Sequence, residues 1–183
     1  MNNIGTVPLE TKRLLLRRLK PDDAQSMYDN WASDSDVTKY LSWPAYDSID
    51  QAQEFLNYRA ASYDNPCTYD WGIVVKEDNN LIGTISAVDF SDTVDSVEIG
   101  YVIGKNWWHN GYTTEALKRI IKFFFEQTDV NRIEACHDSE NPNSGRVMHK
   151  SGMNFEGVLR SKGYNNNGIC DEVVYSILRN EYY

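Results

Sequence analysis

Trp108-His109-Asn110-Gly111-Tyr112-Thr113-Thr114-Glu115-Ala116 carries the chain from a strand, through a tight turn, into a strongly amphipathic helix. The segment before it, Val97-Glu98-Ile99-Gly100-Tyr101-Val102-Ile103, alternates and is rich in β-branched residues, as a half-buried strand requires, and Gly104-Lys105-Asn106 ends it. After it, Ala116, Leu117, Ile120, Ile121 and Phe124 share one helical face, while Glu115, Lys118, Arg119 and Lys122 fall on the other. A helix that opens just after a glycine-containing turn leaves its first N–H groups without helical partners. Together with the positive end of the helix dipole, they favour an anion, and a pyrophosphate fits. Read without a ligand, Gly111 simply turns the chain.

At 183 residues the chain suits a short N-terminal arm, residues 1–9, and a single domain over residues 10–180. A hydrophobic fraction of 41% and an aromatic fraction of 13% are those of a globular protein, and no apolar run is long enough to cross a bilayer. Met1 to Glu10 has neither the basic start nor the apolar stretch of a signal peptide. Cys67, Cys136 and Cys170 form no C-x-x-C pair, which points away from a disulfide framework and towards a reduced, cytoplasmic compartment. The three histidines form no ligand set, so no metal is expected.

The formal net charge of −9 repels nucleic acid and anionic lipid and suits a cationic partner such as an amine, although solubility alone also accounts for it. Arg13, Arg17, Arg18 and Lys20 cluster in sequence, and their spacing reads as the solvated edge of one strand.

Along the chain, a first strand at Arg13 to Leu19 precedes a helix opened by Pro21 with acid at Asp22 and Asp23. Ser48 and Gln51 form a capping box for a second helix reaching about Tyr63. Strands follow at Thr68 to Val75 and Leu81 to Phe90 around a turn at residues 77–80, then the strand and helix already described. A strand at Arg132 to Cys136, a short helix at Asn143 to Lys150 closed by Gly152, and two strands around Phe155 to Lys162 and Cys170 to Leu178 complete the chain. The Asn167-Gly168 pair marks the last hairpin. This order predicts a mixed sheet with helices packed on it.

A second segment, Asn141-Pro142-Asn143-Ser144-Gly145-Arg146-Val147-Met148-His149-Lys150-Ser151-Gly152-Met153, joins the first. Asn141 and Ser144 suit helix caps, and the segment reads by itself as a well-capped short helix.

Taken together, the two segments and the opening Glu10-Thr11-Lys12-Arg13-Leu14-Leu15-Leu16-Arg17 resemble the GNAT superfamily of N-acetyltransferases, and within it the RimJ/RimL-type, ribosomal-protein N-acetyltransferase-like branch. That branch shows a W-G-K-G-Y-A-T-E-A-like turn and an N-x-x-S-x-x-V-x-x-K-x-G-F-like segment about thirty residues later. His109 stands where a glycine is common, and Thr113 where alanine or glycine is common. The resemblance implies an α/β (α+β) fold: a mixed, mostly antiparallel sheet with helices on both faces and splayed central strands.

It also implies acetyl-CoA as co-substrate. The turn Trp108, His109, Asn110, Gly111, Tyr112 and Thr113 would hold the pyrophosphate through backbone N–H groups. The strand with Ile99, Tyr101, Val102 and Ile103 would pair with the pantetheine arm, and Asn141 would bind beside it. Arg146 and Lys150 would meet the nucleotide phosphates.

Amide formation from a thioester needs a neutral amine, a stabilised oxyanion and a proton for the departing thiolate. Glu98, which precedes the cofactor strand, is the candidate base, or else an exposed edge carboxylate. Many relatives carry a tyrosine donor where Met148 stands here, so Ser144 is the candidate acid, unless it only caps its helix. The acceptor site would come from residues 21–66 and the final hairpin. There Trp31, Tyr40, Trp43, Tyr46 and Trp71 supply aromatic surface, and Tyr40 and Trp43 are expected to line the cleft.

The implied activity is acetyl transfer to a primary amine, on a protein N-terminus or a small molecule. The alternatives are a non-catalytic GNAT-like module that senses acetyl-CoA or binds a partner protein, and an enzyme that transfers a longer acyl group. Partners are expected to be acetyl-CoA and the amine, with no nucleic acid or membrane, in a monomer or homodimer.

Overall fold

Leu14 and Leu16 point into a core on one side of a sheet, while Leu15 between them packs against a second core on the other side. The period of two residues in a strand makes this possible. The structure, a computed structural model, describes residues 3–182. Its first strands are β1 (Leu9–Glu10) and β2 (Leu14–Arg17). A 3₁₀ turn at Pro21–Asp23 leads into α1 (Ala24–Met27), a π-helical turn at Tyr28–Ala32, α2 (Ser35–Thr38) and α3 (Ile49–Ser62). Then come β3 (Asp70–Val75), β4 (Leu81–Ser91), β5 (Ser96–Ile103), α4 (Tyr112–Gln127), β6 (Arg132–Asp138) and α5 (Pro142–Lys150). The hairpin of β7 (Asn154–Asn165) and β8 (Gly168–Leu178) ends in the short α6 (Arg179–Tyr182).

The eight strands lie in the order β1-β2-β3-β4-β5-β6-β8-β7. Every neighbouring pair is antiparallel except β5 and β6, which α4 connects as a crossover and which therefore run parallel. Their pairing stops after Ser96–Arg132, Val97–Ile133 and Glu98–Glu134. Beyond Glu98 the two strands part, which is the expected splay.

Helices cover both faces. On one, α4 buries Ala116, Leu117, Ile120, Ile121 and Phe124 against Leu14, Leu16, Ile73, Ile85, Val97 and Ile99. On the other, Ala24 and Met27 of α1 and Ala52 and Leu56 of α3 meet Val74 and Leu81. Each fully buried side chain of this size contributes about 1.5–3 kcal/mol.

Phe123 and Phe125, which fall outside the predicted apolar face of α4, are buried as well. Phe123 packs against Trp71 at 5.5 Å, and Phe125 against Tyr182 at 5.3 Å, because the end of the helix is enclosed from both sides.

Of the basic residues near the start, Arg18 and Lys20 are exposed, as expected of a solvated edge, but Arg13 and Arg17 are half-buried in ion pairs. Arg17 holds both carboxylate oxygens of Asp23 at 2.8 Å, Arg13 reaches Glu115 at 2.7 Å, and Arg18 donates to Thr6 O. The preceding residues run beside β3: the Thr6 hydroxyl donates to Thr68 O and accepts from the Asp70 N–H, and Trp71 Nε1 donates to Val7 O. In the last hairpin Asn166 and Asn167 form the turn between paired Asn165 and Gly168, and Gly168 takes a φ of 101°.

Candidate active site

Where β5 and β6 part, a cavity of about 700 Å³ opens between them. Residues 99–103 of β5 form one wall, and Cys136, His137 and Asp138 of β6 begin the other. The outer half of β5 has lost its neighbour on the β6 side, so its backbone can pair with an extended ligand.

The turn into α4 closes one end. Gly111 is the N-cap of the helix with φ 77° and ψ 7°, and Glu115 N–H returns to Gly111 O at 3.0 Å. The N–H groups ahead of Glu115 have no preceding turn of helix to bond, and Gly111, Thr113 and Thr114 line the cavity. His109 takes a positive φ of 61°, the conformation that explains why a glycine is common at this position. Trp108 and His109 line the cavity as well, with Trp108 Nε1 anchored on Ile103 O at 2.9 Å. Asn110 and Tyr112 are outside the lining: the Asn110 backbone carbonyl accepts from Arg13, its side chain donates to Trp108 O, and the Arg13 guanidinium stacks on the Tyr112 ring at 4.4 Å.

The other side is α5. It sits close on β6 because residue 145 is glycine; a Cβ there would come within 2.5 Å of His137 Nε2. Asn141 occupies the N-cap, but its side chain makes no capping bond. Instead Nδ2 donates to Ser144 Oγ at 3.2 Å. Ser144 therefore lies inside the helix rather than capping it, and its hydroxyl, already accepting, keeps its own proton to donate. Asn141, Ser144, Arg146 and Lys150 all line the cavity. The Arg146 guanidinium meets the Asn143 side chain. Met148 is buried in the core. Tyr101 crosses the gap, its hydroxyl donating to Ser144 O at 3.0 Å, and burial pushes the phenol well above its usual range.

Glu98 stands at the apex of the V as the last β5 residue paired with β6. It does not itself line the cavity but shares a strand face with Gly100 and Val102, which do. Burial, reinforced by the carboxylates of Glu134, Glu172 and Asp89, raises its pKa above the ordinary range. The thiol of Cys136, on the cavity wall, is pushed up to about 12 by burial first and then by Glu98. Glu98, Glu134, Glu172 and Asp89 come from four strands, so no local pattern announces this field.

The aromatic residues separate. Trp31 and Trp71 are fully buried in the two cores. Trp43 packs on Tyr46 at 5.2 Å and on the second core, outside the lining. Tyr40 alone of the five lines the cavity, with its hydroxyl on Glu140 O at 2.9 Å. Trp107, Cys136, His137, Asp138 and Asn143 are lining residues that sequence reasoning missed. Among the described residues no group of His, Cys, Asp and Glu could hold a metal ion, and no helix is long and apolar enough to cross a membrane.

The family model for the acetyltransferase (GNAT) domain matches residues 13–154. The chain belongs to the GNAT acetyltransferase family. Similar GNAT-type relatives include the uncharacterized N-acetyltransferase YoaA of Bacillus subtilis, 34% identical over 93% of this chain and 96% of that protein. The [ribosomal protein uS5]-alanine N-acetyltransferase of Escherichia coli is 27% identical over 87% of this chain and 84% of its own length. The microcin C7 self-immunity acetyltransferase MccE, solved with acetyl-CoA and AMP, shares the fold: TM-score 0.83 over 92% of this chain and 93% of that one, at 20% identity. This GNAT protein is thus an N-acetyltransferase with ribosomal-protein acetyltransferases among its relatives.

Proposed function

We propose that the chain transfers the acetyl group of acetyl-CoA to a primary amine by direct attack of the amine on the thioester. The observation that carries this reading is the parting of β5 and β6 immediately after Glu98, with the N-terminal turn of α4 at one end of the resulting cavity and Ser144 on its wall. Acetyl-CoA supplies the activated acyl group. The turn at residues 108–113 takes its pyrophosphate through N–H groups and the helix dipole, and Arg146 and Lys150 add charge. The free half of β5 takes the pantetheine, with Asn141 beside it.

At pH 7 an alkylammonium has no lone pair to attack with. Glu98, whose raised pKa brings it nearer to neutrality than an ordinary carboxylate, receives that proton directly or through water. Ser144 gives its hydroxyl proton to the departing sulfur and regains one, directly or through water, from the attacking nitrogen as the tetrahedral intermediate collapses to the amide. Alignment of amine and thioester in one cleft supplies a large part of the acceleration. Tyr40 walls the acceptor end.

Kinship with a [ribosomal protein uS5]-alanine N-acetyltransferase favours a protein amine as acceptor, and an alanine has a free amine only at a chain's N-terminus. The test is acetyl-CoA consumption with a panel of peptides and small amines, with mass detection of the product. A mass gain of one acetyl group on a peptide N-terminus supports the reading. Coenzyme A binding without turnover of any amine would instead make the chain a sensing module.

A further inference from the structure

The tip of the β7–β8 hairpin grips a segment that lines the cavity. Asn166 Nδ2 donates to Thr38 O and to Trp43 O, both at 2.8 Å, and its backbone N–H donates to Leu41 O at 3.2 Å. One side chain thus bridges two carbonyls five residues apart, using both amide protons. Between those carbonyls lie Lys39, Tyr40 and Leu41, all on the cavity wall. The same segment is held at two further places: Tyr40 OH donates to Glu140 O, and Asp36 pairs with Lys105 just ahead of the α4 turn.

A second cavity, of about 460 Å³, adjoins the first and shares Lys39, Tyr40 and Asp138 with it; Asn167, beside Asn166, is on its wall. Lys39 and Tyr40 of the strap thus border both cavities.

We propose that Asn166 is a positioning residue for the acceptor: by holding residues 38–43 across the cleft it decides how large an amine-bearing group can enter. The proposal rests on the acetyl-transfer reading above. A connecting segment of this length without such ties samples many conformations. Asn166 selects one in which Tyr40 and Leu41 face the cavity. The cofactor is gripped mainly from β5, α4 and α5, so loosening the strap should change acceptor discrimination far more than acetyl-CoA binding.

The experiment compares the parent with Asn166→Asp, which keeps the shape and loses both amide donors, and with Asn166→Ala. The ratio of kcat/KM for a small over a bulky N-terminal residue, in otherwise identical peptides, is expected to fall by about tenfold in both variants, the scale on which pocket fit discriminates. KM for acetyl-CoA should stay within about twofold. A purely structural Asn166 would lower the melting temperature and leave that ratio unmoved, and this outcome overturns the proposal.

Should the parent acetylate no amine, the acetyl-transfer reading fails, and the strap is judged separately by hydrogen exchange over residues 38–46 with coenzyme A bound. Faster exchange in Asn166→Asp, by about tenfold or more, supports the holding role, and unchanged exchange removes it.

Discussion

The hydroxyl of Tyr101 on β5 donates to the carbonyl oxygen of Ser144 on α5 at 3.0 Å, spanning the gap that opens where β5 and β6 stop pairing. The bond ties the strand assigned to the pantetheine to the residue assigned as proton donor. Tyr101→Phe should cost about 1 kcal/mol of stability, the net worth of one such bond, measured by urea denaturation. Because Ser144 loses its tether, kcat should fall severalfold while acetyl-CoA affinity changes little, as read by steady-state kinetics and titration calorimetry.

Gly111 caps α4 with φ 77°, a conformation in which a β-branched side chain is strained by about 1–3 kcal/mol. Gly111→Val should therefore distort the turn at the cavity mouth and weaken coenzyme A binding by about tenfold or more. Titration calorimetry on the folded variant checks this, and unchanged affinity would place the pyrophosphate elsewhere.

Ser144 sits inside α5, accepting from Asn141 rather than capping the helix; Met148 carries no proton to donate, and the neighbouring Tyr101 phenol has its proton on Ser144 O. Ser144→Ala should lower kcat by about tenfold to several hundredfold and affect acetyl-CoA binding much less. Activity within about twofold of the parent would remove the serine from proton transfer.

Glu98 carries two linked expectations. Burial and three neighbouring carboxylates raise its pKa in the folded protein, so the native state binds this proton more tightly than the unfolded chain does. The sign follows: no stability is lost below the unfolded pKa, and stability falls as pH rises towards and through the folded value. Glu98→Gln should accordingly be more stable than the parent at about pH 7 and nearly equal to it at about pH 4, by urea denaturation at the two values. Its kcat/KM at neutral pH should drop, and the rising limb of the pH profile should move towards the acceptor amine's own pKa. Superimposable profiles would show that another group takes the proton.

The strand–turn–helix at residues 97–124, the capping box at Ser48 and Gln51, the helix after Asn141 and the last hairpin are legible in sequence because each is specified by residues within a few positions of one another. Hydrophobic period, turn residues and caps are local quantities. The Asn141 side chain shows where local reading stops: its type predicts a cap, yet it turns to Ser144 Oγ. Phe123 and Phe125 show it again, since their burial is imposed by Trp71 and Tyr182 rather than by the helix that carries them.

By itself the sequence determined the order of the principal elements, though not the short β1, α2 and α6, and it determined the two motif segments and the residue types available for acid–base chemistry. The tertiary structure alone decided which of those residues share a cavity. It put Tyr40 on the wall and Trp43 outside the lining, set the Tyr112 ring under Arg13, and raised the pKa of Glu98 by burial first and then by carboxylates from three other strands. It also brought Asn166 to residues more than a hundred positions away. The physical reason is that burial, field and long-range hydrogen bonds depend on distances through space. Those distances exist only once the sheet has been assembled in the order β1-β2-β3-β4-β5-β6-β8-β7 and its central strands have parted.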